Sequence, residues 1–260
     1  MSASTLGRLK VYPMGLHSEI QAAANERGYR IWESNFDGWC RYRSATAPGE
    51  IAIAATPAGV KGPFFLSVQH PGAAQELGAA PATPAAQGHL GAFVFPDREA
   101  LYSGIRRVFA LSNSLPSVPY EAFVKETAEL GQTEIDVIRK ERIGQEHFRK
   151  ALVTYWSGTC PLTGVSDPAL LRASHIIPWS ECPSDQERLN VHNGLLLSAL
   201  WDAAFDRGLV TFDDDGGVIA SPGLTEAGRS ALAISSAPAL KLTDAHLERL
   251  VWHRENCWKG

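Results

Sequence analysis

The chain has 260 residues, of which 45% are hydrophobic and 20% charged, and its formal net charge at neutral pH is −4. This length and composition are typical of a globular protein with one large or two smaller domains, and they exclude a disordered or fibrous chain. The acidic balance excludes a protein that is basic overall, so any basic surface for nucleic acid must be local.

The spacing of the cysteines and the length of the apolar runs exclude further classes of protein. Cys40, Cys160, Cys182 and Cys257 include no Cys-x-x-Cys pair, so we expect reduced, mostly buried thiols rather than a zinc ribbon or a redox dithiol. The first residues lack the apolar segment of a secretion signal, and no apolar run is long enough to cross a bilayer. These features predict a cytoplasmic protein that does not enter a membrane.

Residues 1–115 predict a separate α+β domain. A helix is expected over 15–29, and a second helix over 97–114 begins at the N-cap Asp97. Short apolar runs separated by Gly and Pro predict strands at 39–43, 51–55, 64–68 and 91–96. Residues 72–88, rich in Ala, Pro and Gly, predict an exposed loop or a partly helical excursion.

A helical linker region is predicted over 116–158. Pro116 and Pro119 suggest the linker, and helical periodicity over 119–156 is expected to break at Gly144. One helical face predicts core packing, through Phe148, Leu152, Tyr155 and Trp156. Another face is either solvated or in contact with phosphates, and carries Arg139, Arg142 and Arg149.

Residues 159–260 predict a second compact domain. A strand-like run at 170–179, a polar loop, a strand at 193–198 and a helix at 199–208 follow one another closely. A hairpin is expected around 213–217, and a final helix over 243–258 with Thr243 as its N-cap.

The strand, strand and helix of this domain each carry polar residues suited to one chemistry. His175 ends the first strand, Asn193 opens the second, and Asp202 and Asp206 project from one face of the helix. A neutral imidazole can accept a proton from water at neutral pH, and carboxylates bind divalent cations. Together these groups are the parts that metal-assisted phosphodiester hydrolysis requires.

Four linked motifs resemble the HNH endonucleases with a ββα-metal site. They are Cys160-x-x-Thr163-Gly164, "ASHIIPW" at 173–179, "HNGLLLS" at 192–198, and Asp202-x-x-Phe205-Asp206-x-Gly208. The resemblance covers about 133–258 and is to the branch with these motifs. It implies an α+β fold in which a C-terminal ββα-metal core is surrounded by helices.

The resemblance implies roles for the matching residues. His175 would be the general base, and Asn193 would position the base and its loop, or reach the metal. Asp202 stands where many members have a metal-binding histidine, and Asp206 where some have a second ligand. Ser174 stands where many members have a strand ligand, so it completes the expected metal set of Asp202, Asp206 and Ser174.

The implied cofactor is a divalent metal ion, with Mg²⁺ expected first and Mn²⁺ or another divalent ion as alternatives. Many members also bind a structural zinc through two Cys-x-x-Cys pairs. Here Cys160 has no such partners, and Ser198 and Trp201 stand where the second pair would be, so no structural zinc is expected.

The implied partner is DNA. The candidate nucleic-acid-binding residues are Arg142, Arg149, Arg172, Arg207 and Arg254, with Arg139, Lys140 and Arg188 on the same predicted basic face. For Arg254 a pairing with a carboxylate is equally open, and for His192, which precedes Asn193, a structural or surface role is favoured. A homodimer would let one active site per chain cut both strands.

The implied function is a divalent-metal-dependent DNA endonuclease in restriction or defence against foreign DNA, including modified DNA. The alternative is a DNA-binding module with an inactive HNH core. The residues of the N-terminal domain do not assign it to a family, and it could sense bases, contact proteins or support dimerisation. Its aromatic residues predict either core packing or a cage for a flipped base, and they are Tyr29, Trp32, Phe36, Trp39 and Tyr42.

Overall fold

The computed structural model describes residues 7–77 and 85–260. The chain divides into two compact units, with the boundary between Asn113 and Ser114. Both units mix helices and strands, as an α+β fold requires. The predicted helical linker region of 116–158 lies in the second unit.

The first unit is built on an antiparallel five-stranded sheet with the strand order β1-β2-β3-β4-β5. The strands are β1 Ile31–Phe36, β2 Trp39–Arg43, β3 Glu50–Ala55, β4 Phe64–Val68 and β5 Gly91–Phe95. Its helices are α1 Met14–Glu26, α2 Pro71–Glu76 and α3 Arg98–Ser114. The four predicted strands and both predicted helices are thus present, and Asp97 caps α3 by accepting a hydrogen bond from the Ala100 amide at 2.9 Å.

The edge strand β1 was missed by sequence reasoning. It pairs with β2 through a tight turn at Asp37 and Gly38, where both residues have positive φ values of 48° and 74°. An Asp-Gly pair between two strands is a strong hairpin signal, because this turn needs left-handed backbone at both positions. The polar run Glu33–Asn35 hides the strand, since it breaks the alternation of apolar residues.

A register shift in β1 separates the exposed aromatic side chains of the first unit. Trp32 pairs with Tyr42 and Phe36 pairs with Trp39, and a β-bulge lies between these pairs. Tyr42 and Trp39 are three positions apart on one strand, so Trp32 and Phe36 point to opposite faces of the sheet. Tyr29, Trp39 and Tyr42 are buried in the core. The five aromatic residues therefore do not gather into one cage.

The Ala/Pro/Gly-rich stretch at 72–88 is described only in part. Its beginning is helical in α2, where the His70 ring accepts a hydrogen bond from the Ala73 amide at 3.2 Å. Residues 78–84 lie outside the described part of the chain.

The second unit contains two short antiparallel hairpins among helices. In chain order its elements are α4 Ser117–Thr127, α5 Glu134–Tyr155, β6 Leu171–His175, α6 Asp185–Arg188, β7 Gly194–Ser198, α7 Ala199–Asp206, β8 Val210–Phe212, β9 Val218–Ala220, α8 Glu226–Ala231 and α9 Asp244–Asn256. β6 pairs with β7, and β8 pairs with β9 around the predicted turn. Thr243 is the N-cap residue of α9, as predicted, and its amide donates to Nδ1 of His246 at 3.3 Å.

The two prolines do not form an extended linker. Pro116 is the N-cap of α4 and Pro119 lies in its first turn. A helix tolerates proline there because the first amide groups have no partner within the helix.

Helix α5 does not break at Gly144, contrary to the prediction. It runs without interruption from Glu134 to Tyr155. A Cβ atom at Gly144 would lie 2.5 Å from Cη2 of Trp179, so this glycine permits a close approach of the indole. A glycine within a helical pattern predicts a break, but here Gly144 allows Trp179 to pack against the uninterrupted helix.

The core of the second unit surrounds the β6–β7 hairpin. Leu195, Leu196 and Leu197 are all fully buried, so both faces of β7 are covered. A Cβ at Gly194 would lie 2.5 Å from Cζ of Phe148, which shows how closely α5 lies against the start of β7. The predicted core residues Phe148, Leu152 and Tyr155 are buried, and Trp156 is partly buried against the same core.

The sequence predicts reduced, mostly buried cysteines and no segment long and apolar enough to cross a bilayer. All four cysteines are free, and three of them are buried while Cys257 is partly exposed. Within residues 7–77 and 85–260, no helix is both long and apolar enough to cross a bilayer.

Candidate active site

His175 lies at the end of β6 with its ring enclosed by aromatic side chains. The ring stacks on Phe148 of α5 with a centroid distance of 3.8 Å and an interplanar angle of 15°. Trp179 lies edge-on at 5.6 Å. Phe148 is therefore part of the site, which sequence reasoning missed because it assigned this residue only to the core.

The hydrogen bond of the ring decides which nitrogen can act as a base. Nε2 of His175 lies 2.9 Å from the backbone oxygen of Arg188. A carbonyl can only accept, so Nε2 carries the proton in the neutral ring and Nδ1 keeps a lone pair.

Burial keeps this ring uncharged. It lowers the pKa of His175 to about 4, against smaller raising effects from the Arg188 carbonyl and the Glu187 carboxylate. Desolvation disfavours the protonated form of a histidine. At neutral pH the side chain is therefore in the state that can accept a proton.

Asn193 organises the loop that follows the histidine. It is fully buried in a 3₁₀ turn that precedes β7, rather than in the strand itself. Its Oδ1 accepts from the Ile177 amide at 2.8 Å, and its Nδ2 donates to the Ile177 oxygen at 3.1 Å. The side-chain amide of Asn193 thus fixes the backbone of Ile177 by two hydrogen bonds, whereas the Arg188 carbonyl orients the ring of His175.

The two carboxylates of α7 lie beside β6. Oγ of Ser174 donates to Oδ1 of Asp202 at 2.5 Å. Desolvation, followed by the charge of Asp202, raises the pKa of Asp206 to about 6, although part of Asp206 is exposed and Arg207 acts in the opposite direction. The two negative charges therefore disfavour one another, and a bound cation would relieve that repulsion.

A cleft of about 480 Å³ opens between these elements. Its lining residues are Ala173, Ser174, His175, Ile176, Pro178, Trp179, Asp206, Arg207, His253 and Cys257. Of the predicted site residues, the cleft brings together Ser174, His175, Asp206 and Arg207. Asp202 reaches it through its hydrogen bond to Ser174.

His253 forms part of the cleft wall and was given no role by sequence reasoning. Its ring stacks on Phe205 at 4.1 Å, and its Nδ1 lies 3.0 Å from Oγ1 of Thr211. Burial lowers its pKa to about 4. The ring is therefore an uncharged packing element behind the acidic helix.

The donor set suits a hard divalent cation. Magnesium commonly uses one or two protein carboxylates and completes its shell with water and substrate phosphate. Asp202, Asp206 and the Ser174 hydroxyl are all oxygen donors, so they fit such an ion. Over the described part of the chain, no group of three His, Cys, Asp or Glu residues is arranged to hold a metal. The protein therefore offers a sparse site, consistent with a serine before the histidine.

The candidate DNA-binding arginines differ in how firmly they are held. Arg149 donates to the oxygens of Leu171 and Pro168 at 2.9 Å each, and Arg172 donates to that of Ala169 at 2.9 Å. Arg254 pairs with Asp214 at 2.8 Å, so of its two alternatives the structure shows the carboxylate. Arg142 and Arg207 are exposed. These two guanidinium groups are the most available to a phosphate.

His192 packs beside helices α5 and α9. Its ring lies 5.8 Å from that of Tyr155 and 5.0 Å from that of His246. These contacts fit the structural role that was favoured for it.

Comparison with known proteins identifies the segment that carries this site. The family model described as HNH endonuclease matches residues 160–213, which include His175, Asn193, Asp202 and Asp206. No curated protein matches the chain. The second unit therefore contains a segment similar to HNH endonucleases, and that family points to nuclease activity on DNA.

Proposed function

We propose that the protein is a divalent-metal-dependent DNA endonuclease with His175 as general base. The observation that carries this proposal is the coincidence of the matched segment with the cleft. A neutral histidine with a free Nδ1 lies there beside two carboxylates that repel one another. A phosphodiesterase that uses water as its nucleophile needs these same groups.

Each of the predicted catalytic and metal-binding residues has a definable task. Nδ1 of His175 accepts the proton of the attacking water, while Nε2 stays bound to the Arg188 carbonyl. Asp202 and Asp206 would hold the cation, with Ser174 fixing Asp202 and offering its remaining lone pair. A bound divalent ion would supply charge neutralisation at the phosphate and the leaving oxygen. Asn193 keeps the loop beside the base in place.

DNA contacts are assigned to two kinds of arginine. Arg207 in the cleft and Arg142 on α5 are exposed and can bind phosphates directly. Arg149, Arg172 and Arg254 hold backbone carbonyls and can contact DNA only with their remaining donors. The net charge of −4 makes this local basic surface essential to the proposal.

Restriction or defence against foreign DNA is the biological role we propose, with the first unit as the candidate specificity module. A homodimer would bring two active sites to one duplex, so that both strands are cut. The separation of Trp32 and Phe36 on the sheet argues against base sensing by a single aromatic cage in the described residues.

A DNA-binding module with an inactive nuclease core is the second candidate. The observation that favours it is the sparse ligand set, in which Ser174 replaces an acidic strand ligand. The two candidates differ in whether DNA is cut, and both bind DNA.

Plasmid cleavage tests the proposal directly. Supercoiled plasmid, unmodified or carrying modified cytosine, is incubated with the protein and Mg²⁺, Mn²⁺ or EDTA, beside His175→Ala. Metal-dependent nicking that the variant loses supports the nuclease, and preference for one plasmid supports a specificity role for the first unit. DNA binding without cleavage under every metal would establish the inactive module instead.

A further inference from the structure

The short helix α6 lies between the candidate base and a remote arginine. Its last residue, Arg188, supplies the backbone oxygen that accepts from Nε2 of His175 at 2.9 Å. The preceding residue, Glu187, supplies a backbone oxygen 3.4 Å from Nδ2 of Asn193. Two consecutive carbonyls of α6 therefore contact the two residues that define the site.

A bidentate ion pair fastens this helix to α9. Nε and Nη2 of Arg249 donate to the two carboxylate oxygens of Glu187 at 2.6 and 2.8 Å. The side chains are only 14% and 20% exposed, so the pair is largely shielded from water. Paired parallel hydrogen bonds from a guanidinium fix orientation as well as distance. Arg249 is itself braced, because Nη1 donates to the Ala245 oxygen at 2.6 Å.

A second charged contact between α6 and a neighbouring helix is weaker. Lys140 of α5 contacts Asp185 through a single ammonium–carboxylate contact at 2.9 Å, with 46% of the lysine side chain exposed. Exposed single contacts contribute little, since solvent screens them and a lysine holds no fixed geometry. Arg249 is not among the residues that line the cleft. Arg249 therefore lies outside the cleft, and its ion pair with Glu187 links it to α6.

We infer that Arg249 is a positioning residue for the general base, because its pair with Glu187 holds the Arg188 carbonyl against Nε2 of His175. This contact keeps the proton on Nε2 and the lone pair on Nδ1. The inference rests on the proposed function in that it takes His175 as the base. It extends the active site to a residue 62 positions away from Glu187 in sequence.

Ring ¹⁵N NMR of the neutral histidines tests the inference without requiring activity. The signals of His175 are assigned by their loss in His175→Ala. In the wild-type protein we expect a single tautomer with the proton on Nε2. In Arg249→Ala we expect a mixture of tautomers, and in Arg249→Lys an intermediate result, because a lysine keeps the charge but loses the fork. Unchanged His175 signals in Arg249→Ala would overturn the inference.

Kinetics supply the second readout. Arg249→Ala should lower kcat for plasmid nicking roughly ten- to hundredfold with little change in KM, because misplacement of the base affects chemistry more than binding. Glu187→Ala should have the same effect, and the double variant should lose no more than either single one. Additive losses in the double variant would contradict a shared role.

Two controls separate positioning from general damage. Arg229→Ala removes a guanidinium that binds the Leu224 and Ser221 oxygens in the same unit, and it should leave both the tautomer and kcat unchanged. If Arg249→Ala does not fold, Glu187→Gln weakens the pair with little change of shape and is judged by the same tautomer measurement. A tautomer shift in a protein that nicks no DNA would support the positioning while refuting the nuclease.

Discussion

The two units of the chain use their arginines differently. In the first unit, arginines mostly pair with carboxylates, as in Arg41–Glu50, Arg43–Glu33, Arg98–Glu19 and Arg107–Glu76. Arg30 and Arg41 of this unit also donate to backbone oxygens. In the second unit, six of the described arginines donate to backbone oxygens, and they are Arg149, Arg172, Arg188, Arg229, Arg249 and Arg254. Three of these six, Arg188, Arg249 and Arg254, also pair with a carboxylate. The reason is topological, because a five-stranded sheet satisfies its own carbonyls whereas short hairpins and loops do not.

Hydrogen bonds from arginine side chains to backbone oxygens hold the loop-rich candidate site together. The polypeptide between β6 and β7 has only a four-residue helix, α6, and two 3₁₀ turns. Arg188 ties it together by donating to the oxygens of Trp179 and Cys182 at 3.0 and 3.1 Å. Arginine side chains thus satisfy backbone carbonyls around the candidate site, whereas strand pairing satisfies them in the first unit.

The largest expected effect concerns the chemistry of the second unit. His175→Ala should lower the rate of DNA nicking by about 10²–10⁴-fold, because a positioned general base contributes that much. The thermal transition should still show a folded protein. Single-turnover nicking and a melting curve check this prediction, and residual activity within tenfold of wild type would contradict it.

Substitution of one arginine in each unit tests whether hydrogen bonds to backbone oxygens stabilise more than exposed pairs with carboxylates. Arg188→Ala removes charged hydrogen bonds to two backbone oxygens and should cost about 3 kcal/mol of unfolding free energy. Arg43→Ala removes a pair in which the arginine side chain is 55% exposed and should cost less than about 1 kcal/mol. Urea unfolding of both variants measures the two losses of unfolding free energy, and equal losses would contradict the proposed difference between the two units.

Acid should weaken the second unit through a buried histidine. The folded pKa of His253 is about 4, below the unfolded value of about 6.5, so protons bind better to the unfolded chain. Stability from this group is complete above pH 6.5 and is lost as the pH falls toward 4, by about 3 kcal/mol in total. Denaturant unfolding across this pH range measures the loss.

His253→Gln is the matched control for the acid effect, because it keeps a hydrogen-bonding side chain beside Thr211 and does not titrate. Its stability should fall less steeply between pH 6.5 and 4 than that of the wild type. His175 and His70, whose pKa values are also lowered by burial, still contribute to the remaining slope. An unchanged slope would refute the assignment to His253.

The last expected effect lies at the contact between α5 and the site. Gly144→Ala places a methyl group where Cη2 of Trp179 now lies, and overpacking of this kind costs about 1–3 kcal/mol. Because Trp179 borders the ring of His175, activity should fall with stability. Gly158→Ala is a poor control, since its φ is positive, whereas Gly15→Ala on α1 meets no atom within 4 Å. That control should leave activity unchanged and should not lower stability, because alanine favours a helix more than glycine does.

Local patterns determined much of the fold and the identity of the site residues. Apolar runs bounded by Gly and Pro located β2 to β5, and the caps Asp97 and Thr243 located two helix starts. The order of the motifs placed His175 on the first strand and Asp202 and Asp206 on the helix, where the structure has them, whereas Asn193 lies in the 3₁₀ turn before the second strand rather than in the strand. These features could be predicted because each depends on residues close together in the chain.

Only the tertiary structure decided how those residues work. The stacking of Phe148 on His175, the use of Gly144 to admit Trp179, and the Glu187–Arg249 pair all join residues distant in sequence. The tautomer of His175 depends on a backbone oxygen, which leaves no trace in residue identity. The sequence determined which chemical groups are present and on which elements they lie. Packing determined which of them meet, because side chains from separate elements come together only when the core closes.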